Sequence, residues 1–352
     1  MTTTDTQPAS TQSLYTLQRL LFMTLDPVHI GTGGYRLDRV DMTIAREPGT
    51  NLPKIPGTSL AGATRSYAAM SYGKPEAAGK HDKFKGHKKT CPIIYTFGTA
   101  TDTSSANNSK EGSTQAGTVS IADARILFFP VNSMAGPVWV STISIVREAW
   151  DENSVTLPQN VEPTNDVIVT NMNWEKNLNL GWLLFESTKG LTIKPPTSLK
   201  SHPEWKGISD RIVLVTPKLF SQIVNSNLEV RTSVSIDPET GAADSGALFT
   251  YEAIPRTTWL WSDVVEDNYG KNNDSYPFPV NKQYDSTSNA ENAGADLPNK
   301  DIWKQPLHVV RSGMRLIEYL GVGGMGTRGF GRMRLVDEWV VKEIKSEFGK
   351  QQ

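Results

Sequence analysis

A glycine-rich loop near the C-terminal end has the residue types that bind phosphate. Six glycines lie between Gly321 and Gly331. Glycine permits positive φ and has no Cβ, so its backbone can approach a phosphate closely. Successive exposed N–H groups can then surround an anion, and nearby guanidinium groups add forked donors. The loop therefore predicts phosphate or RNA contact, against the alternative of a flexible turn; the predicted residues are Gly323, Gly324, Gly326, Arg328 and Arg332.

A second group of residues could bind a metal. His81, His87 and Cys91 have the spacing His-x5-His-x3-Cys, and these residue types are zinc ligands. The alternative is a solvated basic loop that serves RNA or a neighbouring subunit, because Lys80–Lys89 contains five lysines. Such lysine contacts would be salt-sensitive. Cys91 is the single cysteine, which excludes an internal disulfide and an all-cysteine metal site.

Composition limits the class of protein. The 352 residues are 38% hydrophobic, enough for a substantial core, and no apolar stretch is long enough for a membrane span. Residues 1–13 are polar, lack the pattern of a signal peptide and are expected to form a disordered tail, which favours a cytoplasmic protein. The net charge of −1 is unusual for a free-standing DNA-binding protein but compatible with one member of an assembly.

Periodicity predicts an α+β fold that places the loop between a helix and a strand. One helix starts near Thr58 or Ser59, with an apolar face of Leu60, Ala63, Tyr67 and Met70. A second helix precedes the glycine-rich loop, with apolar positions from Leu307 to Leu320. Strands are predicted near residues 14–28, 121–140, 212–215, 228–236 and 333–341, and polar loops near 99–117 and 262–300.

Several motifs together resemble the RAMP superfamily of CRISPR proteins. These are the glycine-rich loop, the stretch His-Ile-Gly-Thr-Gly at 29–33, and Ile-Pro-Gly-Thr-Ser-Leu-Ala-Gly at 55–62. Three further segments, 91–98, 121–131 and 246–255, are similar to the backbone subunit of type III-B, or Cmr, complexes. The resemblance spans about residues 17–340; type III-A and III-D backbone subunits share its N-terminal and loop motifs, so the subtype stays open.

The resemblance implies a single domain over residues 14–345. It would have a modified ferredoxin-like (RRM-like) core with insertions near residues 75–118 and 262–300 and an inserted thumb β-hairpin within 174–228. Copies would stack along a guide RNA beside other subunits of the complex, and each thumb would displace one base pair of the guide–target duplex. The target RNA would be cleaved beside each displaced position with Mg²⁺ or Mn²⁺.

The resemblance also implies the cleaving residue. The family places an aspartate before an Ile-x-Arg-Glu stretch, which is Ile44–Glu47 here, and Asp41 has that position with Asp38 in reserve. A carboxylate can hold Mg²⁺ or act as a weak general base for the 2′-hydroxyl. Without the resemblance, a turn aspartate bonded to its own loop is the better interpretation.

Other predicted RNA contacts surround this position. Arg36 and Arg39 either contact phosphate or pair with Asp38 and Asp41. His29 is expected to be structural or to stack on RNA rather than to act as a general acid. The remaining predicted contacts are Arg46, Lys54, Ser59 and Arg65.

Three functions remain open at this point. The first is a guide-RNA-binding backbone subunit that is also a metal-dependent endoribonuclease for the target. The second is a non-catalytic scaffold of the same complex. The third is a guide-processing endoribonuclease that uses His29 as acid–base. No cofactor motif or catalytic triad supports a metabolic enzyme.

Overall fold

The computed structural model describes residues 13–33, 40–79, 91–98, 116–174, 176–234, 236–242, 248–267, 278–279 and 303–345. Most of the predicted N-terminal tail and of the predicted polar insertion at 262–300 lies outside these ranges. None of the helices within the ranges has the length and apolar character needed to cross a membrane.

Strands and helices are numbered in chain order. The strands are β1 (Ser13–Thr24), β2 (Lys54–Ile55), β3 (Val119–Ile121), β4 (Ala124–Val131), β5 (Val138–Ser141), β6 (Val155–Thr156), β7 (Val167–Thr170), β8 (Leu178–Leu180), β9 (Leu183–Lys189), β10 (Thr192–Ile193), β11 (Ile212–Leu214), β12 (Glu229–Ser233), β13 (Phe249–Ala253), β14 (Trp259–Asp267) and β15 (Met333–Lys345). The helices are α1 (Gly57–Ser71), α2 (Pro92–Phe97), α3 (Ile143–Ala149), α4 (Pro203–Lys206), α5 (Pro217–Ser226) and α6 (Pro306–Leu320).

Within the described residues, eleven strands form one mixed sheet. Its order is β15-β1-β14-β4-β5-β11-β7-β9-β8, with β2 paired to β4 and β3 paired to β14. The strand β1 is antiparallel to both of its neighbours, whereas β5–β11 and β7–β9 are parallel pairs. The helices α1 and α6 pack on each other, and α1 follows β1 while α6 precedes β15. The predicted α+β class is confirmed, and the finer ferredoxin-like description stays a prediction.

The sheet is buried on both faces. Leu20 and Phe22 of β1 belong to one core cluster, which includes residues of α1, α5 and α6, and Leu21 belongs to a second, which includes residues of α3 and α4. Successive side chains of a strand point to opposite faces, so a central strand covered on both sides is apolar throughout. This explains the continuous apolar run at residues 20–23 of β1.

Both predicted long helices are confirmed, and Leu60, Ala63 and Tyr67 of the predicted face of α1 pack on the core, but Met70 does not. Met70 is 54% exposed, whereas Thr64 and Ala68 are fully buried. The reason is the close approach of α1 to α6. A Cβ on Gly313 of α6 would lie 2.1 Å from the carbonyl oxygen of Thr64. Small residues therefore occupy the contact, which hydrophobic periodicity does not reveal.

The N-terminus of α1 is capped by a distant residue rather than by Thr58 or Ser59. Neither hydroxyl caps the helix, and the backbone N–H of Gly57 donates to Asp123 Oδ1 at 2.7 Å. A carboxylate at this position satisfies one free N–H group and interacts favourably with the helix dipole. The predicted side-chain cap was wrong, because the partner lies 66 residues away in sequence.

The segment 174–228, predicted to contain the thumb, is largely built into the main sheet. The strands β8, β9 and β11 from this segment pair within it. The next two strands, β12 and β13, instead form a separate two-stranded antiparallel hairpin. Its exposed apolar side chains include Val230, Val234, Ile236 and Leu248. The thumb itself stays a prediction.

Two other predicted insertions contain ordered core elements at their ends. The helix α2 lies within the predicted insertion 75–118, yet its residues Ile93, Ile94 and Tyr95 are buried in a cluster with Trp303. The strand β14 continues to Asp267, so residues 262–267 of the predicted polar insertion belong to the main sheet.

Candidate RNA-binding and cleavage site

Four separate segments meet beside Asp41. The stretch after Asp41 pairs with β13, since Met42 N donates to Thr250 O and Glu252 N donates to Met42 O. Ala45 N donates to Ile30 O on the other side. The glycine-rich loop joins through a bond from Gly324 N to His29 O, at 2.9 Å. These bonds bring together the glycine-rich loop, the motif at 29–33, the stretch Ile44–Glu47 and the segment 246–255.

The carboxylate of Asp41 is held by β13. Thr250 donates to Asp41 Oδ2 twice, from its backbone N at 2.7 Å and from its hydroxyl at 2.9 Å. These bonds, the backbone bond first, hold the pKa of Asp41 below its ordinary value. Asp41 is partly exposed, and within the described residues no hydrogen bond reaches its Oδ1. The side chain is therefore ionised near neutral pH, and the described part of the chain leaves its Oδ1 available to a ligand.

This geometry differs from that of an ordinary turn aspartate. The partner of Asp41 is a strand residue 209 positions away, not the backbone of its own loop. A lowered pKa weakens a carboxylate as a general base, because its affinity for the proton is smaller. The arrangement suits binding of a divalent cation or electrostatic orientation better than proton abstraction.

Asp41 fits the chemistry of a Mg²⁺ ligand. Mg²⁺ is often bound through one or two carboxylates, with phosphate oxygens and water completing its shell. A partly exposed carboxylate whose Oδ1 has no hydrogen-bond partner among the described residues meets that requirement. Within the described residues no cluster of three or more metal-binding side chains occurs. The predicted Mg²⁺ or Mn²⁺ would therefore have Asp41 as its protein ligand among the described residues, with RNA phosphates and water as its other ligands.

His29 is buried in the floor of the site. The residue is 5% exposed, Nδ1 lies 2.7 Å from Glu252 O, and the ring meets Tyr251 edge-on. A carbonyl oxygen only accepts, so Nδ1 carries the proton and donates. This geometry favours the structural role over base stacking or general-acid catalysis. Direct RNA contact by His29 stays a prediction.

Glu252 and Arg46 form a buried ion pair next to His29. Arg46 donates from Nη1 to Glu252 Oε1 at 2.6 Å and from Nη2 to Oε2 at 2.8 Å, and Ile44 N also donates to Oε1. The guanidinium is therefore occupied inside the protein. Guide-phosphate contact by Arg46 stays a prediction, and its evident role is to fix the segment that carries Asp41.

Close packing explains part of the glycine-rich loop. Gly323 has a φ of +89°, and a Cβ there would lie 2.4 Å from Ile30 Cδ1 and 2.5 Å from His29 O. Gly324 donates its N–H to His29. These two glycines therefore let the loop lie directly on the 29–30 segment. Both glycines thus have a packing role. Their contact with RNA stays a prediction.

The tip of the loop retains groups for an anion. Residues 323–329 are exposed or partly exposed, and Met325 has a left-handed conformation with φ of 64°. In the part of the chain that the structure describes, the N–H groups of Met325, Gly326 and Thr327 have no backbone hydrogen-bond partner. Such successive donors match the predicted phosphate contact.

Aromatic rings and arginines connect the loop tip to Asp41. Arg328 lies over the ring of Phe249 at 5.1 Å, and Arg231 lies over Phe330 at 4.8 Å. Tyr251 packs between Phe249 and Phe330. Phe249 is the immediate neighbour of Thr250 and is only partly buried. Stacked aromatic and guanidinium groups are well suited to RNA bases and phosphates.

The other predicted cationic contacts have partners within the protein. Arg332 binds Asp26 through Nε at 2.5 Å, Lys54 Nζ lies 2.6 Å from Asp123 Oδ2, and Arg65 donates to the carbonyl of Ala77. The bond to Asp26 raises the pKa of Arg332, whereas burial lowers the pKa of Arg65. RNA contact by these residues and by Ser59, in the first turn of α1, stays a prediction.

Five predicted residues lie outside the described part of the chain: Arg36, Asp38, Arg39, His81 and His87. Cys91 is described and buried against α2 and its neighbours. The zinc prediction stays a prediction.

Thr250, Glu252 and Arg231 were not predicted as site residues. The segment 246–255 was recognised as a family feature, but residue types alone do not pair Thr250 with Asp41, 209 positions away, or Glu252 with Arg46, 206 positions away. A polar Thr and Glu within an apolar strand are the only signal that the sequence offers.

The family model that describes the RAMP superfamily matches residues 21–334. The chain belongs to the RAMP superfamily. The match covers both the Asp41 region and the glycine-rich loop, and so it includes every segment of the site.

Individual RAMP proteins are similar over most of the chain. The protein named CRISPR system Cmr endoribonuclease Cmr4, from Pyrococcus furiosus, is 27% identical over 266 residues, which are 71% of this chain and 82% of the relative. This chain is a homologue of that protein.

Solved structures share the fold. A chain of the type III-B Cmr-beta complex bound to cognate target RNA matches with a TM-score of 0.55 and 17% identity, covering 91% of this chain and 97% of that chain. Oligomeric Cmr4 from Pyrococcus furiosus matches with a TM-score of 0.51 and 18% identity, covering 94% and 100%.

Proposed function

We propose that this RAMP protein is the guide-RNA-binding backbone subunit of a type III-B CRISPR complex and cleaves target RNA beside Asp41. The observation that carries the proposal is the ionised, half-exposed Asp41 carboxylate, held by β13 next to the loop tip and its stacked arginines. The relative named as the Cmr endoribonuclease supports the reaction class. Copies of this chain and other subunits of the complex are the proposed protein partners, and the cytoplasm is the proposed location.

The chemistry follows from these groups. Attack of a 2′-hydroxyl on the adjacent phosphate forms a 2′,3′-cyclic phosphate and breaks the bond to the 5′-oxygen. The hydroxyl proton passes to solvent, the leaving 5′-oxygen takes a proton from solvent, and the charge on the phosphate must be stabilised. Asp41 would hold Mg²⁺ or Mn²⁺, and the bound cation would supply Lewis-acid stabilisation of the phosphate. The N–H groups at the loop tip and Arg328 would bind neighbouring phosphates and fix the RNA in register.

We further propose that the hairpin of β12 and β13 is the base-displacing thumb. It stands outside the main sheet, exposed Ile236 and Leu248 lie in the segment that connects its strands, and Thr250, beside Asp41, lies one residue pair from the loop end of the strands. A wedge on the hairpin, and a cleaving carboxylate bonded to Thr250 of the same hairpin, would keep the cut at a fixed distance from the displaced base. This proposal places the thumb in β12 and β13, directly after the predicted interval 174–228.

The guide-processing alternative is disfavoured by the burial of His29 and by its bond to Glu252. The scaffold alternative predicts tight target binding without cleavage.

The test compares the native chain with Asp41→Asn in the complex assembled with guide RNA, labelled complementary RNA and Mg²⁺. Asparagine keeps an acceptor for Thr250 but removes the charge. We expect target binding to persist and cleavage to be lost, while Asp166→Asn, an exposed loop control, cleaves normally. Unchanged cleavage by Asp41→Asn would contradict the assignment of Asp41, and uncut RNA with the native chain would favour the scaffold.

A further inference from the structure

Thr250 makes a reciprocal set of hydrogen bonds with Asp41. Its backbone N and its hydroxyl both donate to Asp41 Oδ2, at 2.7 and 2.9 Å. In return, Asp41 N donates to Thr250 Oγ1 at 3.2 Å. One hydroxyl thus accepts from the backbone of Asp41 and donates to its side chain, which only a hydroxyl-bearing residue can do here.

Thr250 is itself fixed by the fold. It lies in β13, opposite Thr232 of β12, and its carbonyl accepts from Met42 N. The next residues of β13 anchor His29 and Arg46 through Tyr251 and Glu252. The position of Asp41 is therefore fixed by β13, which is hydrogen-bonded to β12 on one edge and to the Met42 segment on the other. The loop that contains Asp41 does not fix it alone.

We propose that Thr250 is a positioning residue for the cleavage reaction. By occupying Oδ2 it leaves Oδ1, which has no hydrogen-bond partner among the described residues, as the oxygen that acts, and it limits rotation of the carboxylate. This inference rests on the proposed function, since it assigns the residue that orients the Asp41 carboxylate within the same site.

The hydroxyl and the backbone bond can be separated experimentally. Thr250→Val keeps the shape and the backbone N–H but removes the hydroxyl, whereas Thr250→Ser keeps the hydroxyl. Hydrogen bonds to charged groups and small misplacements of reacting groups each change rates by about 10-fold to 100-fold. We expect Thr250→Val to slow single-turnover cleavage by roughly 10-fold or more, and Thr250→Ser to restore it to within about threefold.

The matched control is Thr232→Val. Thr232 is the cross-strand neighbour of Thr250, is exposed and lies in the same hairpin. Its substitution removes a hydroxyl without touching Asp41, so native cleavage is expected. A loss equal to that of Thr250→Val would mean that the hairpin tolerates no such change, and would overturn the positioning role.

A second measurement does not depend on cleavage. Because Asp41 N donates to Thr250 Oγ1, amide hydrogen exchange at Asp41 in the metal-free complex should accelerate in Thr250→Val and stay slow in Thr250→Ser. If the valine variant fails to assemble, Thr250→Ala replaces it in both measurements with the same expectation.

The decisive experiment measures cleavage rate, target affinity and Asp41 exchange for the native chain and for Thr250→Val, Thr250→Ser, Asp41→Asn and the double variant Thr250→Val with Asp41→Asn. Support requires slow cleavage in Thr250→Val, rescue by serine, unchanged target affinity, and a double variant no slower than Asp41→Asn alone. A native rate in Thr250→Val with an inactive Asp41→Asn overturns this inference only. A native rate in Asp41→Asn overturns the proposed function of Asp41 itself.

Discussion

Asp41 is set apart from other surface aspartates by the residue that holds it. Its partner, Thr250, belongs to a strand far along the chain, and the two bonds to Oδ2 favour the ionised carboxylate. The position of Asp41 could be predicted from the family motif before Ile44–Glu47. The roles of Thr250 and Glu252 could not, because hydrogen bonds between distant segments leave no spacing pattern in the sequence.

The lowered pKa of Asp41 predicts a pH dependence. The folded-state pKa lies below the unfolded value, so the bonds to Thr250 contribute stability above the ordinary aspartate pKa and lose it as pH falls through the lowered value. We expect carboxyl-carbon NMR to give an Asp41 midpoint below that of an ordinary aspartate. In Thr250→Ala the midpoint should rise, and an unchanged midpoint would show that the hydroxyl does not stabilise the charge.

A second prediction at this scale concerns the buried ion pair. Glu252→Gln leaves the Arg46 guanidinium, whose side chain is 21% exposed, without its counter-charge. Breaking a buried pair on one side costs about 3 kcal/mol, so the free energy of unfolding should fall by roughly that amount. Glu152→Gln is the control, since its pair with Arg147 is exposed and should contribute less than about 1 kcal/mol. Equal effects in urea denaturation would contradict the structural role of Glu252.

The long helices show which elements a sequence can reveal. Their three- and four-residue apolar spacing predicted α1 and α6 correctly, because an amphipathic helix must bury one face. The same spacing misplaced Met70, since the contact between the helices is made by Thr64 and Gly313 rather than by large side chains. Backbone proximity of this kind depends on the partner helix, which periodicity within one helix does not encode.

This contact gives a prediction for two glycines. Alanine is favoured over glycine in a helix interior by about 1 kcal/mol, so propensity alone would make both Gly62→Ala and Gly313→Ala stabilising. A Cβ on Gly62 meets nothing within 4 Å, whereas one on Gly313 meets the Thr64 carbonyl at 2.1 Å. We expect thermal unfolding to show Gly62→Ala as neutral or stabilised and Gly313→Ala as destabilised by about 1–3 kcal/mol. A stabilised Gly313→Ala would contradict the close packing of the helices.

At the scale of the whole molecule, the fold brings short motifs into one surface. The segments near residues 29, 41, 250 and 324 are joined by backbone bonds around the main sheet, although the first and last lie almost 300 positions apart. The α+β class was predictable from the alternation of strands and helices. The strand order was not, because pairings such as β1 with β14 and β15 join distant parts of the chain. The separate hairpin of β12 and β13 joins consecutive strands, and the sequence did not show that it stands apart from the main sheet.

If each copy carries its own cleaving carboxylate, cuts should be independent of one another. The measurement is cleavage of labelled target RNA by complexes assembled from mixtures of the native chain and Asp41→Asn in known ratio. We expect cuts at regular intervals, each weakened in proportion to the Asp41→Asn fraction, with unchanged spacing and target binding. Cuts that persist undiminished when every copy is Asp41→Asn would contradict the account and move cleavage to another residue or subunit.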